Sequence, residues 1–240
     1  MTINVYCAQE ASFYNEGVDG IEHSADLLVK YIEPLNKNLP EWYRDSHYRK
    51  CPAATNVIKQ CYVIPLYYDI NFSYSEHGLS SNDNRIIDFT GQSLAWSNQS
   101  IGPHQIINNV LLFADKPLTV TTLHPYLHVN EFTRNFNVLT AEYDIGKWCR
   151  PINTAFINNY REGNVNIKKG DIVSYIRFNT TEKIKIHTFA VSSWLRQQVY
   201  SATNMVNITT TVTPLEEVYR LFRYHNLRNR ILKDIKENTI

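Results

Sequence analysis

"NIKKGDIVSYIRFN", residues 166–179, sets a polar turn directly in front of an apolar run. Lys168-Lys169-Gly170-Asp171 carries turn chemistry: glycine takes positive φ at no steric cost, and aspartate bonds to nearby backbone N–H groups. Ile172, Val173, Tyr175, Ile176 and Phe178 are β-branched or aromatic, the composition of a buried strand. The pattern recurs upstream. Tyr68, Ile70, Phe72 and Tyr74 alternate with Asp69, Asn71 and Ser73, the two-residue period of a half-buried strand. Residues 85–89, 110–113, 118–122, 136–143, 152–157 and 183–189 complete a set of about eight strands. Asp115-Lys116-Pro117 lies between two of them and reads as a hairpin turn. No strand–helix alternation and no internal repeat is visible, so a mostly antiparallel barrel or sandwich is expected over a parallel sheet.

The two ends read differently. Residues 1–61 form an expected N-terminal wrapping segment with short helices. Ser24 caps one that Pro34 ends, Trp42 and Tyr43 sit in an aromatic turn that docks on the core, and Pro52 opens another through Lys59. Residues 62–200 form the expected β-rich core domain. Residues 201–240 are a linker and an amphipathic C-terminal helix. There, Thr213 and Glu216 have capping-box spacing, with Pro214 at the first helical position. Val218, Leu221, Phe222, His225, Ile231, Leu232 and Ile235 make an apolar stripe between Arg220, Arg223, Arg228, Arg230, Lys233 and Lys236. Such a helix docks with its basic face in water, or shows that face to nucleic acid or a protein partner.

Bulk properties narrow the classes. The chain has 240 residues, 43% hydrophobic and 20% charged, which is enough apolar material for a sizeable core. Twenty-four Lys and Arg against 23 Asp and Glu give a net charge of +1, so no bulk attraction to polyanions follows. Cys7, Cys51, Cys61 and Cys149 show neither C-x-x-C pairs nor zinc-site spacing, and reduced thiols are expected. The start of the chain lacks a basic segment followed by an apolar run, and no apolar stretch approaches membrane-spanning length. Neither a signal peptide nor a membrane partner is expected.

Three blocks carry a resemblance: "KCPAATNVIKQCYVIPLYYDINF" (50–72), "GPHQIINNVLLF" (102–113) and "AEYDIGKWCRPINTAFI" with "VNIKKGDIVSYIRFN" (141–179). Over roughly residues 40–195 the chain resembles a protein family encoded mainly by large tailed phages of marine and freshwater bacteria. That family brings no activity to carry over. It implies a host-cytoplasmic protein, or a virion component if structural. The third block also resembles, more distantly, the latter half of the trimeric dUTPase fold. In that family a G-V-I-D-x-x-Y-R-G strand precedes an apolar strand and then an I-x-x-G-D-R-I-A-Q-L turn-strand. The resemblance implies a dUTPase-like or jelly-roll-like β fold, closed by the strand that Gly170 starts, and a homo-oligomer, trimeric if the packing is shared.

For chemistry it implies Asp144 as the catalytic base that orients water, Trp148 as a stacking residue, and Lys147 and Arg150 as phosphate clamps, with Mg only if a nucleotide is bound. The chain departs from the pattern where that chemistry resides. Pro151 stands where a glycine follows the arginine, no P-R-S-S element occurs over 114–135, and residues 196–240 contain no glycine to wrap a triphosphate. Asp144, Lys147 and Arg150 also suit a solvated charged turn, and Cys149 a small buried hydrophobe. His104, His124, His128 and His187 are the candidate ligands for a metal-dependent barrel enzyme. Pro125 argues against a helix uniting His124 and His128, and no metal ligand set is assigned. The favoured expectation is a non-catalytic protein that acts in assembly or by binding a partner: itself, another phage or host protein, or, more weakly supported, nucleic acid. A nucleotide or phosphorylated small-molecule hydrolase is the alternative.

Overall fold

A computed structural model describes residues 2–9, 32–66, 68–75, 78–80, 86–88, 104–106, 110–147, 149–199, 201, 220 and 226–240. Its strands are β1 (Thr2–Gln9), β2 (Glu33–Pro34), β3 (Cys61–Pro65), β4 (Ile70–Ser75), β5 (Gly78–Ser80), β6 (Ile86–Asp88), β7 (His104–Ile106) and β8 (Val110–Ala114). They continue as β9 (Thr119–Leu123), β10 (Phe136–Val138), β11 (Glu142–Asp144), β12 (Thr154–Asn158), β13 (Gly163–Ile167), β14 (Ile172–Phe178) and β15 (Lys183–Thr188). The helices are α1 (Glu41–Arg44), α2 (Pro52–Gln60), α3 (Glu131–Asn135), α4 (193–199) and α5 (Leu227–Glu237). The protein is thus mainly β, as its alternating patterns require, but its strands are shorter and more numerous than periodicity alone suggests.

Among the described residues the strands form four open sheets, ordered β15-β1-β8, β11-β9-β14-β3-β2, β13-β4-β5 and β10-β12-β7-β6, and none of these closes into a barrel. The turn at 168–171 carries the chain from one sheet to another. β13 pairs with β4, and β14 with β3, all antiparallel. Ile70 faces Ile167 on one side of the corner and Pro65 faces Ile172 on the other. Strands β3 and β4, paired with β14 and β13, therefore form one bent ribbon across two sheets, a recognised way to make a corner. Gly170 takes φ +93° at the bend, where its N–H donates to the Leu66 carbonyl at 2.7 Å and the Leu66 N–H donates to the Asp171 carbonyl at 2.8 Å. The Asp171 carboxylate accepts from the Lys168 N–H at 3.0 Å, closing the turn. A bulge where the register shifts between Ile172 and Ser174 adds the local twist that a corner needs. β14 is thus the middle strand of a five-stranded open sheet, not the closing strand of a barrel.

Two other expected elements resolve differently. β8 and β9 flank Asp115-Lys116-Pro117 but belong to different sheets, so this turn is a crossover and not a hairpin. The stretch 136–143 is two strands. Leu139 N–H still donates to Ala155 of β12, whereas the Ala141 carbonyl accepts from Thr122 of β9, so the chain changes sheets at Thr140. The expected helix from Ser24 and the capping box at Thr213 lie outside the described residues.

Layering follows from what each face buries. Ile3, Val5 and Cys7 of β1 and Val110, Leu112 and Ala114 of β8 meet Val120, Ile176 and Phe178 from the β14 sheet. The opposite face of β1 and β8 packs Tyr6, Ala8, Leu111 and Phe113 against Leu195 and Val199 of α4 and Ile231 and Ile235 of α5. The opposite face of the β14 sheet packs Val63 and Tyr175 against Leu35, Tyr43 and Ile58 of the N-terminal helical layer. The other two sheets close on Phe72, Phe132, Phe136 and Phe156, whose rings lie 4.7–6.4 Å apart in stacked, edge and tilted contacts. Residues 2–9, read from sequence as part of a wrapping segment, form the central strand of their sheet. β1 pairs parallel with β15 and antiparallel with β8.

Candidate functional site

The expected catalytic cluster occupies the turn after β11. Tyr143 and Asp144 are consecutive on that strand and face opposite ways. Tyr143 packs on the core shared by the β1 and β14 sheets, where burial raises its phenol pKa and the Arg150 guanidinium pulls it back. Asp144 points away. One of its oxygens accepts from the Gly146 N–H at 3.1 Å and the other is ion-paired to Lys147. The structure brings Asp144 and Lys147 together, whereas Arg150 sits by Tyr143. Trp148 lies outside the described residues. Cys149 is fully buried, with its thiol pKa pushed up to about 12 by desolvation, so it packs as a hydrophobe.

This turn is held from both sides. A methyl at Gly146 would stand 3.2 Å from both the Lys116 carbonyl oxygen and the Asp144 carboxylate, close enough that a neighbour would have to give by a few tenths of an ångström. From α5, Arg228 donates to the carbonyls of Gly146 at 2.9 Å, Asp115 at 3.0 Å and Ala114 at 3.3 Å. Asp115 in turn accepts from the Asn4 N–H at 3.0 Å and its side-chain amide at 2.6 Å, and Asn4 meets His187 at 3.0 Å. The helix expected to offer a basic face therefore spends Arg228 on its own fold and lays Arg230 over Trp194, 5.3 Å from the ring centroid. This junction can clamp loops together, and its acids and bases already hold one another.

The histidines are scattered. His104 is buried on β7 against Phe156, His124 accepts from the Val138 N–H at 3.4 Å, His128 bridges Asn38 and Tyr175, and His187 stacks on Tyr6. Among the described residues no three His, Cys, Asp or Glu side chains gather as a metal site. An open groove of about 480 Å³ lies on the outer face of β4 and β13, where Asn71 faces Asn166 and Ser73 faces Asn164, with Glu131 at its rim. Its lining offers amides, hydroxyls and the Glu131 carboxylate, but no cation.

A second surface combines both. "EWYRDSHYRK", residues 41–50, folds as α1 followed by a 3₁₀ turn, His47–Lys50. Tyr43 faces inward and is 4% exposed. Around it Trp42 is 53%, Tyr48 70% and Tyr126 50% exposed. Trp42 stands edge-on to Tyr43 with centroids 5.7 Å apart, and the Tyr43 hydroxyl donates to the Tyr48 carbonyl at 3.5 Å. Tyr126 stands edge-on to buried Tyr175 at 5.5 Å, and burial raises its phenol pKa, helped by the neighbouring Cys61 thiol and the Tyr43 phenol. Arg44, His47, Arg49 and Lys50 are exposed on the same stretch, opposed by Glu41 and Asp45. No described carboxylate pairs with Arg44, Arg49 or Lys50. Sequence reading took Trp42 and Tyr43 together as core-docking; only Tyr43 docks. The interleaving of rings and cations in 41–50 was the available signal.

No family model, curated protein or solved structure matches the chain. No helix among the described residues is long and apolar enough to cross a membrane.

Proposed function

We propose that this chain is a non-catalytic binding protein that takes a polyanionic partner on the face formed by residues 42–50 and Tyr126. One observation carries this reading: Trp42 and Tyr48, each more than half exposed, share one short stretch with Arg44, Arg49 and Lys50, which have no described carboxylate partner, and half-exposed Tyr126 lies near Tyr43 of that stretch. Exposed aromatic surface next to cations that no ion pair holds is a binding composition, since rings and arginines are the side chains that dominate interface energies. The near-neutral whole chain makes the local excess matter, because screening confines its field to roughly 10 Å at 0.1 M salt.

The hydrolase alternative would require Asp144 to let go of Gly146 and Lys147 before it could hold a water. Its present bonds support a turn-holding role instead. Retention on immobilised heparin tests the binding reading. The protein should bind at low salt and elute with a salt gradient, and the charge reversal R49E/K50E should elute well before the parent. Flow-through of the parent at 50 mM salt would remove the reading.

A further inference from the structure

We infer, building on the polyanion-binding reading above, that the partner is a single-stranded nucleic acid whose bases stack on Trp42 and Tyr126 while its phosphates meet Arg44, Arg49 and Lys50. The rings decide the class. Trp42 is braced by buried Tyr43, and Tyr126 by buried Tyr175, each through an edge contact that leaves ring surface in water. Rings held this way lose little freedom on binding, and every base offers them a π face of matching shape. A sulfated or phosphorylated polymer without bases would use the cations and leave the rings wet. A duplex hides its base faces in the stack. A protein interface also draws on exposed rings and arginines, so self-association is measured as a separate arm of the test below.

The cations fit the same ligand. Arg44 donates its Nε to the Leu39 carbonyl at 2.9 Å, and Arg49 reaches the Arg44 carbonyl at 3.4 Å, so both guanidinium groups are oriented by backbone and not by an acid. Lys37 and Lys59 are exposed on the adjoining segments of the same helical layer and extend the positive margin. The result is an aromatic platform with a cationic rim, the arrangement that sequence-tolerant single-strand binders use.

Fluorescence anisotropy of a labelled 15-nucleotide dT strand, titrated with the full chain, tests the inference, with a duplex of equal length and heparin as competitors. The single strand should bind, quench tryptophan emission, and lose at least about tenfold in affinity between 50 and 200 mM salt. W42A and Y126A should each weaken it by roughly tenfold, and W42F and Y126F, which keep a ring, should largely restore it. Thermal melts of all four variants identify any that fails to fold, and the Phe variants then stand in for it. If single strand, duplex and heparin bind alike and the Ala variants bind like the parent, base stacking is refuted while polyanion binding stands. If neither dT nor heparin binds, both readings fall. If nucleic acid does not bind but the chain self-associates and W42A abolishes that, the face is a protein interface and the inference is overturned.

Discussion

His128 joins the N-terminal layer to the β14 sheet. Its Nε2–H donates to the Asn38 carbonyl at 2.7 Å, and its Nδ1 accepts from the Tyr175 hydroxyl at 2.5 Å, whose oxygen accepts from the Leu127 N–H at 3.3 Å. A carbonyl can only accept, which sets this neutral tautomer. Burial lowers the imidazole pKa below its ordinary 6.5, with the Asn38 carbonyl pulling the other way. The unfolded chain then takes up the proton first. Stability is fully present above about pH 6.5 and is lost as pH falls from there through the lower folded value. The denaturant midpoint should therefore drop between pH 7.5 and 5.5. H128F should cost about 1–3 kcal/mol at pH 7.5 and flatten that slope, leaving the share due to His124 and His187, which burial also lowers. An unchanged slope in H128F would exclude this origin. Gly163 makes a second residue-scale case. A methyl there would stand 2.7 Å from the hydroxyl of Tyr74, itself 2% exposed, bonded to Asn135 and edge-on to Phe136. G163A should lower stability by about 1–3 kcal/mol in urea titration, since the ring has nowhere to yield. Asp144→Ala, which removes the acceptor for Gly146, should cost only about 0.5–1.5 kcal/mol because the carboxylate is partly solvated.

At the level of elements, α5 shows how a polar anchor and an apolar stripe divide the work. Ile231 and Ile235 lie one turn apart and fully buried on β1 and β8, while Arg228 at the first turn fixes the helix over three carbonyls. Asn226 enters the helix at φ 52°, a left-handed conformation that asparagine tolerates better than most residues. R228M keeps the stem but leaves the Ala114, Asp115 and Gly146 carbonyls short of a donor. It should destabilise by about 1.5–3 kcal/mol, and amide exchange over 227–237 should accelerate before that of β14. Much at this level was legible beforehand. Alternation marked β4, the apolar run marked β14, Pro52 marked the start of α2, and the spacing of Ile231 and Ile235 marked the last helix. What alternation cannot encode is the sheet to which a strand goes. Asp115-Lys116-Pro117 has hairpin composition whether its strands pair with each other or part, and Thr140 breaks 136–143 without any glycine or proline to announce it. β1 went unread although Ile3, Val5 and Cys7 alternate, because Tyr6 and Ala8 are buried on the other face and blur the period. The site suffered differently. Trp42 and Tyr43 are neighbours of like chemistry, and only the direction of a one-turn helix puts one in water and the other in the core.

At the scale of the whole molecule, the bent ribbon of β3 and β4 paired with β14 and β13 belongs to two sheets at once, and the Pro151–Leu111 bridge ties the chain leading into β12 to β8 of a different sheet. The two sheets that meet at this corner cannot part without breaking the hydrogen bonds of Leu66 with Gly170 and Asp171. Urea unfolding should therefore be one transition, with far-UV circular dichroism and tryptophan emission giving the same midpoint within error; two midpoints would show that the sheets melt independently. The parallel register of β1 with β15, Thr2 opposite Lys183 through Cys7 opposite Thr188, has a consequence during synthesis. At 5–20 residues per second the ribosome releases β15 roughly 10–35 s after β1. Until then a strand destined for burial on both faces has β8 as its one sheet neighbour, and that only after residues 110–114 have emerged. A nascent chain arrested short of residue 183 should stay sensitive to protease and prone to clump, and tightening to the resistant form should coincide with the emergence of the lysine-flanked strand that completes the sheet.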